Sequence, residues 1–138
     1  MGAINGHEGK VMLGSVVVAE ITEWSISGFE MGTLETTAFG DTVRKYMPDN
    51  TGEPGTISFS GNYDPTDTDG QEAIATLCKN GTTTTDLYLY PNADNFWRVG
   101  SGGEIVVTKA HAITLPRNGL GSISFEGKVS GAWMELVS

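Results

Sequence analysis

Two segments far apart in the chain share a strict alternation of apolar and polar residues. They read GTISFSGNY at residues 55–63 and GSISFEGKV at residues 121–129. In the first, Ile57, Phe59, Gly61 and Tyr63 share one parity, and the second repeats this pattern. A period of two is typical of a β-strand with one apolar and one polar face. The fold must therefore bury one face of each of these strands and leave the other face exposed. The likeness of the two segments also suggests that they are equivalent strands of an internal repeat.

Other segments favour further strands. Apolar residues at 17, 19 and 21 lie on one parity and those at 24 and 26 on the other, which predicts a bulge or a turn near Glu23. Strands are also expected at 86–90, 95–100 and 104–115, and Asn118-Gly119 is expected to form a hairpin turn before the 122–131 strand.

One helix is predicted at residues 68–80. Thr68 has the spacing of an N-cap with Gln71, and Asn80-Gly81 supplies a left-handed stop. Between them, apolar residues fall on one helical face at Ala73, Ile74, Leu77 and Cys78. With 138 residues, the chain is expected to be a single, mainly β domain, a sandwich or barrel with one short flanking helix.

Residues 33–55 have no sustained period and are interpreted as a long loop. Phe39, Val43, Tyr46 and Met47 in this stretch need something to pack against. These side chains could pack against their own domain or against a neighbouring subunit, and the sequence leaves both alternatives open.

The formal net charge is −9, from 17 acidic and 8 basic residues, with no basic run longer than Arg44-Lys45. This balance argues against tight binding of nucleic acid, which needs a basic patch. A single cysteine allows no intramolecular disulfide, and neither a membrane span nor a signal peptide is expected.

The sequence carries little catalytic chemistry. Asp64, Asp67, Asp69 and Glu72 form an acidic cluster, but aligned to an EF-hand loop the first position would be Pro65. These acids are better explained by the helix dipole. His7, His111 and Cys78 do not supply a zinc site, and His111 is interpreted as a surface or lumen residue. We expect no enzyme activity, no metal and no cofactor.

Four segments resemble, in order along the chain, the major tail tube proteins of siphophages. They are TTAFGD at 36–41, GTISFSGNYD at 55–64, LYLYP at 87–91 and SFEGKVSG at 124–131. The resemblance spans most of the chain. It implies a β-sandwich-like tail tube fold whose copies form rings, with six subunits expected, stacked into a hollow tube that passes double-stranded DNA. The needle tube of type VI secretion shares this architecture.

The resemblance also gives the polar residues a meaning. The hydroxyl-rich faces would line the lumen, and these residues are Thr56, Ser58, Ser60, Asn62, Ser122, Ser124, Glu126 and Ser130. The alternative is that these faces meet solvent outside the assembly. Inter-subunit contacts are predicted for Thr37, Phe39, Asp41, Val43, Arg44, Tyr46, Met47, Trp133 and Met134. Residues 33–55 are the favoured contact between rings, and the arm at 1–10 and the segment at 132–138 are further candidates.

The implied partners are further copies of the chain, a tape-measure protein, and tail terminator and distal tail or tip proteins, with DNA only in transit and no membrane. The implied location is the virion tail, assembled in the cytoplasm of the host bacterium. Two alternatives remain. One is a needle subunit of a contractile secretion system. The other is a carbohydrate-binding sandwich using Trp24, Trp97, Trp133 and Tyr90 as a sugar platform.

Overall fold

The computed structural model describes residues 9–138, without the side chains of Asn50 and His111. Residues 1–8, which make up most of the predicted arm and include His7, lie outside the described residues. The His111 side chain, predicted to lie on the surface or in the lumen, lies outside them as well.

The chain forms twelve strands and one helix over its described part. The elements before the helix are β1 (Lys10–Leu13), β2 (Val16–Val17), β3 (Ile21–Ser27), β4 (Glu30–Glu35), β5 (Tyr46–Glu53) and β6 (Thr56–Asn62). The helix α1 (Gln71–Asn80) is followed by β7 (Thr83–Thr84), β8 (Leu87–Tyr90), β9 (Phe96–Val99), β10 (Glu104–Thr114), β11 (Ser122–Ser130) and β12 (Met134–Val137).

Two five-stranded antiparallel sheets enclose one core. The outer sheet, as we call it, has the order β12-β9-β8-β1-β2, and the serine sheet has the order β3-β6-β11-β10-β7. Buried side chains from both sheets meet between them, among them Val11, Leu89, Phe59 and Phe125. The predicted sandwich with one short helix is confirmed, and within the described residues neither sheet closes on itself as a barrel.

The two similar segments pair directly with each other. Phe59 of β6 lies opposite Phe125 of β11, and their rings stack with centroids 4.9 Å apart. Side chains of the apolar parity are buried and those of the other parity face outward, as the alternation predicts. The register of β3 on β6 shifts between Ile21 and Glu23, so the predicted bulge is confirmed.

The helix begins at Gln71 rather than Thr68, and the predicted Thr68 cap is wrong. Gly70 is the N-cap residue and makes no side-chain cap. The Asp67 carboxylate instead accepts the Gln71 N–H (3.0 Å) and the Ala19 N–H (2.9 Å). These two bonds tie the start of the helix to the segment that precedes β3. The stop is confirmed, because Gly81 is left-handed with φ 65°. Ile74 and Ala75 are buried.

Residues 33–55 are only partly a loop, because strands flank a ten-residue connection at 36–45. β4 and β5 pair as an antiparallel hairpin that forms a separate two-stranded sheet. Leu34 lies opposite Met47 and Glu35 opposite Tyr46, with a register shift between Met31 and Thr33. This shift breaks the period of two, which explains why the sequence shows no strand pattern here.

Candidate functional site

The eight predicted lumen residues lie together on the solvent side of the serine sheet. β6 and β11 are neighbours in this sheet, so their polar parities form one continuous face. β3 extends it, since Ser25 Oγ lies 2.7 Å from Ser58 Oγ and Ser27 Oγ lies 3.2 Å from Thr56 Oγ1. The result is a broad face of small hydroxyl groups that bond to one another across strands.

This hydroxyl face carries only a small net charge. Glu126 forms an ion pair with Lys109 of β10 (3.5 Å), and both side chains are more than half exposed. The described charged side chains on its strands are Glu23, Glu104, Glu126, Lys109 and Lys128, and the Glu20 carboxylate at its edge accepts from Asn62 Nδ2 (3.5 Å), which gives a net charge of −2. The charge of −9 on the whole chain therefore comes mostly from other surfaces.

The β4–β5 hairpin extends away from the sandwich. Its strands pair with each other and make few contacts with either large sheet. It carries exposed large hydrophobic side chains on both faces, at Met31, Leu34, Phe39, Val43, Tyr46 and Met47. A lone hairpin is marginally stable in water, so this one needs a surface to pack against.

The hairpin tip has a defined shape. Asp41 accepts the Ala38 N–H (2.7 Å) and donates its own N–H to the Ala38 carbonyl (3.1 Å). The Asp41 carboxylate also lies 3.4 Å from Lys45 Nζ, and Thr37 Oγ1 accepts the Lys45 N–H (3.0 Å). This closed turn holds the Phe39 ring fully in solvent. Asp41 and Thr37 thus shape the tip, and Phe39 is the side chain that it presents.

Trp133 anchors the base of the hairpin to the sandwich. Its ring lies against Gly52 of β5, where a side chain would collide with it, and 5.8 Å from the ring of Phe29. The neighbouring Met134, which we grouped with Trp133 as an inter-subunit residue, is only 4% exposed and packs in the core of its own domain. It therefore offers no surface to a neighbour.

Both long edges of the serine sheet are open within the described residues. β3 pairs only with β6, which leaves its other edge free. At the opposite edge, β7 covers β10 only at Ile105 and Val106. Open edges present unpaired N–H and C=O groups that readily add a strand of another chain.

The acidic cluster before the helix was also considered as a metal site. Among the described residues, no three His, Cys, Asp or Glu side chains could hold a metal ion together. Thr66 donates its hydroxyl (2.7 Å) and its N–H (3.0 Å) to Asp64, which lowers the pKa of that carboxyl. No helix in the described part of the chain is long and apolar enough to cross a membrane.

The aromatic residues considered as a sugar platform do not form one. Trp24 and Trp97 pack against the core, and Trp24 Nε1 donates to the Tyr90 carbonyl (3.1 Å). Trp133 belongs to the hairpin base described above. Tyr90 instead forms a tilted ring pair with Phe96 (centroids 5.0 Å apart) on the outer sheet, and Lys10 Nζ lies 4.7 Å from the centre of the Tyr90 ring.

The fold is shared with tail and tube structures of phage-like particles. The tail of an empty gene transfer agent particle, computed with C6 symmetry, matches with a TM-score of 0.73 at 18% identity, over 99% of this chain and 100% of that chain. The PVC sheath–tube complex of an extracellular contractile injection system matches with 0.71 at 14%, over 98% and 93%. The sheath/tube terminator of that system matches with 0.72 at 13%, over 100% and 99%.

These similarities show that the chain has a tail tube fold, and the expected fold is confirmed. No protein-family model matches the sequence, and no curated protein matches it significantly.

Sequence reasoning missed part of the hydroxyl face. It did not assign Glu23, Ser25 and Ser27 to the hydroxyl face, although their alternation in β3 is a usable signal. It also missed Lys109, which only the pairing of β10 with β11 brings to Glu126.

Proposed function

We propose that this chain is a structural subunit, without catalytic activity, that assembles into stacked rings forming the inner tube of a long phage tail. The observation that carries the proposal is the protruding hairpin with exposed apolar side chains on both faces, in a domain with a tail tube fold.

Stacking between rings is assigned to the hairpin. Its tip residues are Thr37, Phe39, Asp41, Val43 and Arg44, followed by Tyr46 and Met47 on β5. Burying such side chains at an interface contributes about 1.5–3 kcal/mol for each large one. A contact between unlike surfaces leaves a free end on each ring, so growth continues along one axis.

Closure within a ring is assigned to the open sheet edges. The free edge of β3 in one copy would pair with the free part of β10 in the next, from Thr108 to Thr114. Repeated around the ring, this pairing joins the serine sheets into one closed cylinder with no edge left. The C6 symmetry of the gene transfer agent tail supports six copies per ring.

The hydroxyl face would then line the lumen, as Thr56, Ser58, Ser60, Asn62, Ser122, Ser124, Glu126 and Ser130 were predicted to do. Hydroxyl groups hold water and, because the face has a small negative net charge, there is no basic surface to retain a polyanion. Double-stranded DNA would pass without binding. A non-contractile, siphophage-type tail, with a tape-measure protein inside and terminator and tip proteins at its ends, is the assembly we favour. It would form in the host cytoplasm and end in the virion.

The test is self-assembly of the purified chain. Sedimentation and negative-stain electron microscopy over a concentration series should show rings at low concentration and tubes at high concentration. The informative variant removes residues 36–45 and joins Glu35 to Tyr46 by Asn-Gly, since these two residues already pair. It should stay folded by circular dichroism and form no tubes. Wild-type protein that remains monomeric under all conditions would contradict the proposal.

A second candidate is the tube of a contractile injection system. The observation favouring it is the match to the PVC sheath–tube complex and its terminator. Co-expression with a sheath protein separates the two candidates, because only a contractile tube should acquire an ordered sheath.

A further inference from the structure

Two groups of exposed apolar side chains lie at opposite ends of the serine sheet. The hairpin leaves the sheet beside Ser27 and Thr56, which pair with each other. At the other end, a connection of seven residues, 115–121, joins β10 to β11 between Thr114 and Ser122. Six residue steps along β11 separate Ser122 from Lys128 opposite Thr56, about 20 Å at ~3.4 Å per residue.

This connection, here called the receiving loop, exposes two leucines. Leu115 is 68% exposed and Leu120 is 76% exposed. The loop is nevertheless held in place. Tyr63 donates its N–H to the Gly121 carbonyl (2.9 Å), and the Leu115 side chain lies against Gly121, where a Cβ would collide with it. Two large apolar side chains on a well-anchored loop indicate a contact surface rather than a loose connection.

The charges at the two ends are complementary. The hairpin tip carries Arg44, Lys45 and Asp41, a net charge of +1. Beside the receiving loop lie two carboxylates, Glu20 and Asp64, and the loop itself carries Arg117, so these three groups have a net charge of −1. Glu20 is held beside the end of β6, because its carbonyl accepts the Asn62 N–H (2.9 Å). Asp64 comes directly after Tyr63, whose N–H binds the loop. A tip with a net charge of +1 that approaches this end therefore meets a surface of opposite net charge.

We infer that the receiving loop is the surface on which the hairpin tip of a second copy docks, with Phe39 packing against Leu115 and Leu120. The inference rests on the proposed tube function and identifies the other half of its stacking contact. Stacked rings related by a simple translation and rotation bring opposite ends of the subunit together. The only exposed leucines at the far end of the serine sheet, among the described residues, are the two on this loop.

Site-specific cross-linking tests the contact directly. In a Cys78→Ser background, which removes the native thiol, the exposed neighbours Ala38→Cys on the tip and Asn118→Cys on the receiving loop are combined in one chain, so that Phe39 and Leu120 are kept. Under mild oxidation and assembly conditions this pair should give a ladder of disulfide-linked multimers at least tenfold faster than Ala38→Cys with Val17→Cys. Val17 is 49% exposed but lies on the outer sheet. Equal rates for the two pairs would overturn the inference.

Mixing two broken subunits provides a second test. Phe39→Ser retains the receiving loop but loses the tip, and Leu120→Ser retains the tip but loses the loop. Each alone should fail to form tubes. A mixture should give pairs of stacked rings that grow no further, because one intact contact joins them and neither outer end can extend.

The outcomes separate the inference from the proposed function. If wild-type protein forms tubes and Leu120→Ser forms them equally well, the receiving loop is wrongly assigned while the tube proposal stands. If wild-type protein forms no tubes under any condition, the tube proposal itself fails, and the inference with it.

Discussion

Gln71 should be the polar side chain on which the stability of this fold depends most. It is 1% exposed, and its amide makes three hydrogen bonds. Nε2 donates to the carbonyls of Ala19 (2.9 Å) and Asn62 (3.0 Å), and Oε1 accepts the Asp64 N–H (3.0 Å). One side chain therefore ties the start of the helix to the approach to β3 and to the end of β6.

The substitution Gln71→Met keeps the length of the side chain and removes all three bonds. Each buried group left without a partner costs about 1–3 kcal/mol, partly offset by the added apolar burial and by water at the half-buried partners. We expect a loss of about 3 kcal/mol in the free energy of unfolding. For a domain of this size, that lowers Tm by about 10 °C.

The substitution Gln71→Glu sharpens the test. It keeps the shape but directs a buried carboxyl at two carbonyl oxygens, so its pKa in the folded state is raised above the unfolded value of about 4.3. The loss of unfolding free energy caused by ionisation of this carboxyl is therefore small below the unfolded pKa. It grows as the pH rises above the unfolded pKa and is complete above the folded pKa. At pH 7, Gln71→Glu should be less stable than Gln71→Met, and lowering the pH should narrow or reverse the difference.

The assay is urea unfolding followed by circular dichroism at protein concentrations too low for assembly, at pH 4 and pH 7. Thr76→Ala, at an exposed position of the same helix, is the matched control and should change stability by less than about 0.5 kcal/mol. If Gln71→Met stays within 1 kcal/mol of wild type, the network does not hold these segments together as reasoned.

Three further predictions concern assembly. Glu126→Lys raises the charge of the hydroxyl face by two and places a third lysine beside Lys109 and Lys128, so tubes should form but retain duplex DNA in gel-shift and co-sedimentation assays at low salt, whereas Glu135→Lys on the outer sheet should not. Gly52→Val displaces the Trp133 ring, which should red-shift tryptophan fluorescence and reduce tube yield in sedimentation. Asp41→Ala opens the hairpin tip and should raise the critical concentration for tubes several-fold, with Tm changed by less than about 2 °C.

Each of these has a contrary result. Equal DNA retention by the Glu126→Lys and Glu135→Lys tubes would place the hydroxyl face outside the lumen. Unchanged assembly of Gly52→Val would show that the hairpin orientation does not matter for stacking. A strong loss of thermal stability in Asp41→Ala would mean that the tip supports the fold of the domain rather than its polymerisation.

The regular strands could be predicted because their periodicity is local. Ile57 and Phe59 must be buried together whatever the topology, so the apolar and polar faces of β6 and β11 followed directly from residue order. The stop at Gly81 and the bulge near Glu23 were predictable for the same reason, since each depends only on neighbouring residues.

The hairpin could not be recognised in this way. Its register shift between Met31 and Thr33 interrupts the period of two, and Pro48 lies within β5. A proline in a strand argues against that strand unless it lies at an edge, and in a two-stranded hairpin every strand is an edge. Only the pairing of Leu34 with Met47 reveals it.

The sequence by itself determined a mainly β domain with two alternating strands, one short helix and a near absence of catalytic chemistry. Tertiary structure decided which surfaces remain free. It buried Met134 while leaving Phe39 in solvent, brought Lys109 to Glu126, and placed the hairpin and the receiving loop at opposite ends of one sheet. The physical reason is that burial and pairing between distant residues depend on strand order and register, and no local pattern specifies either.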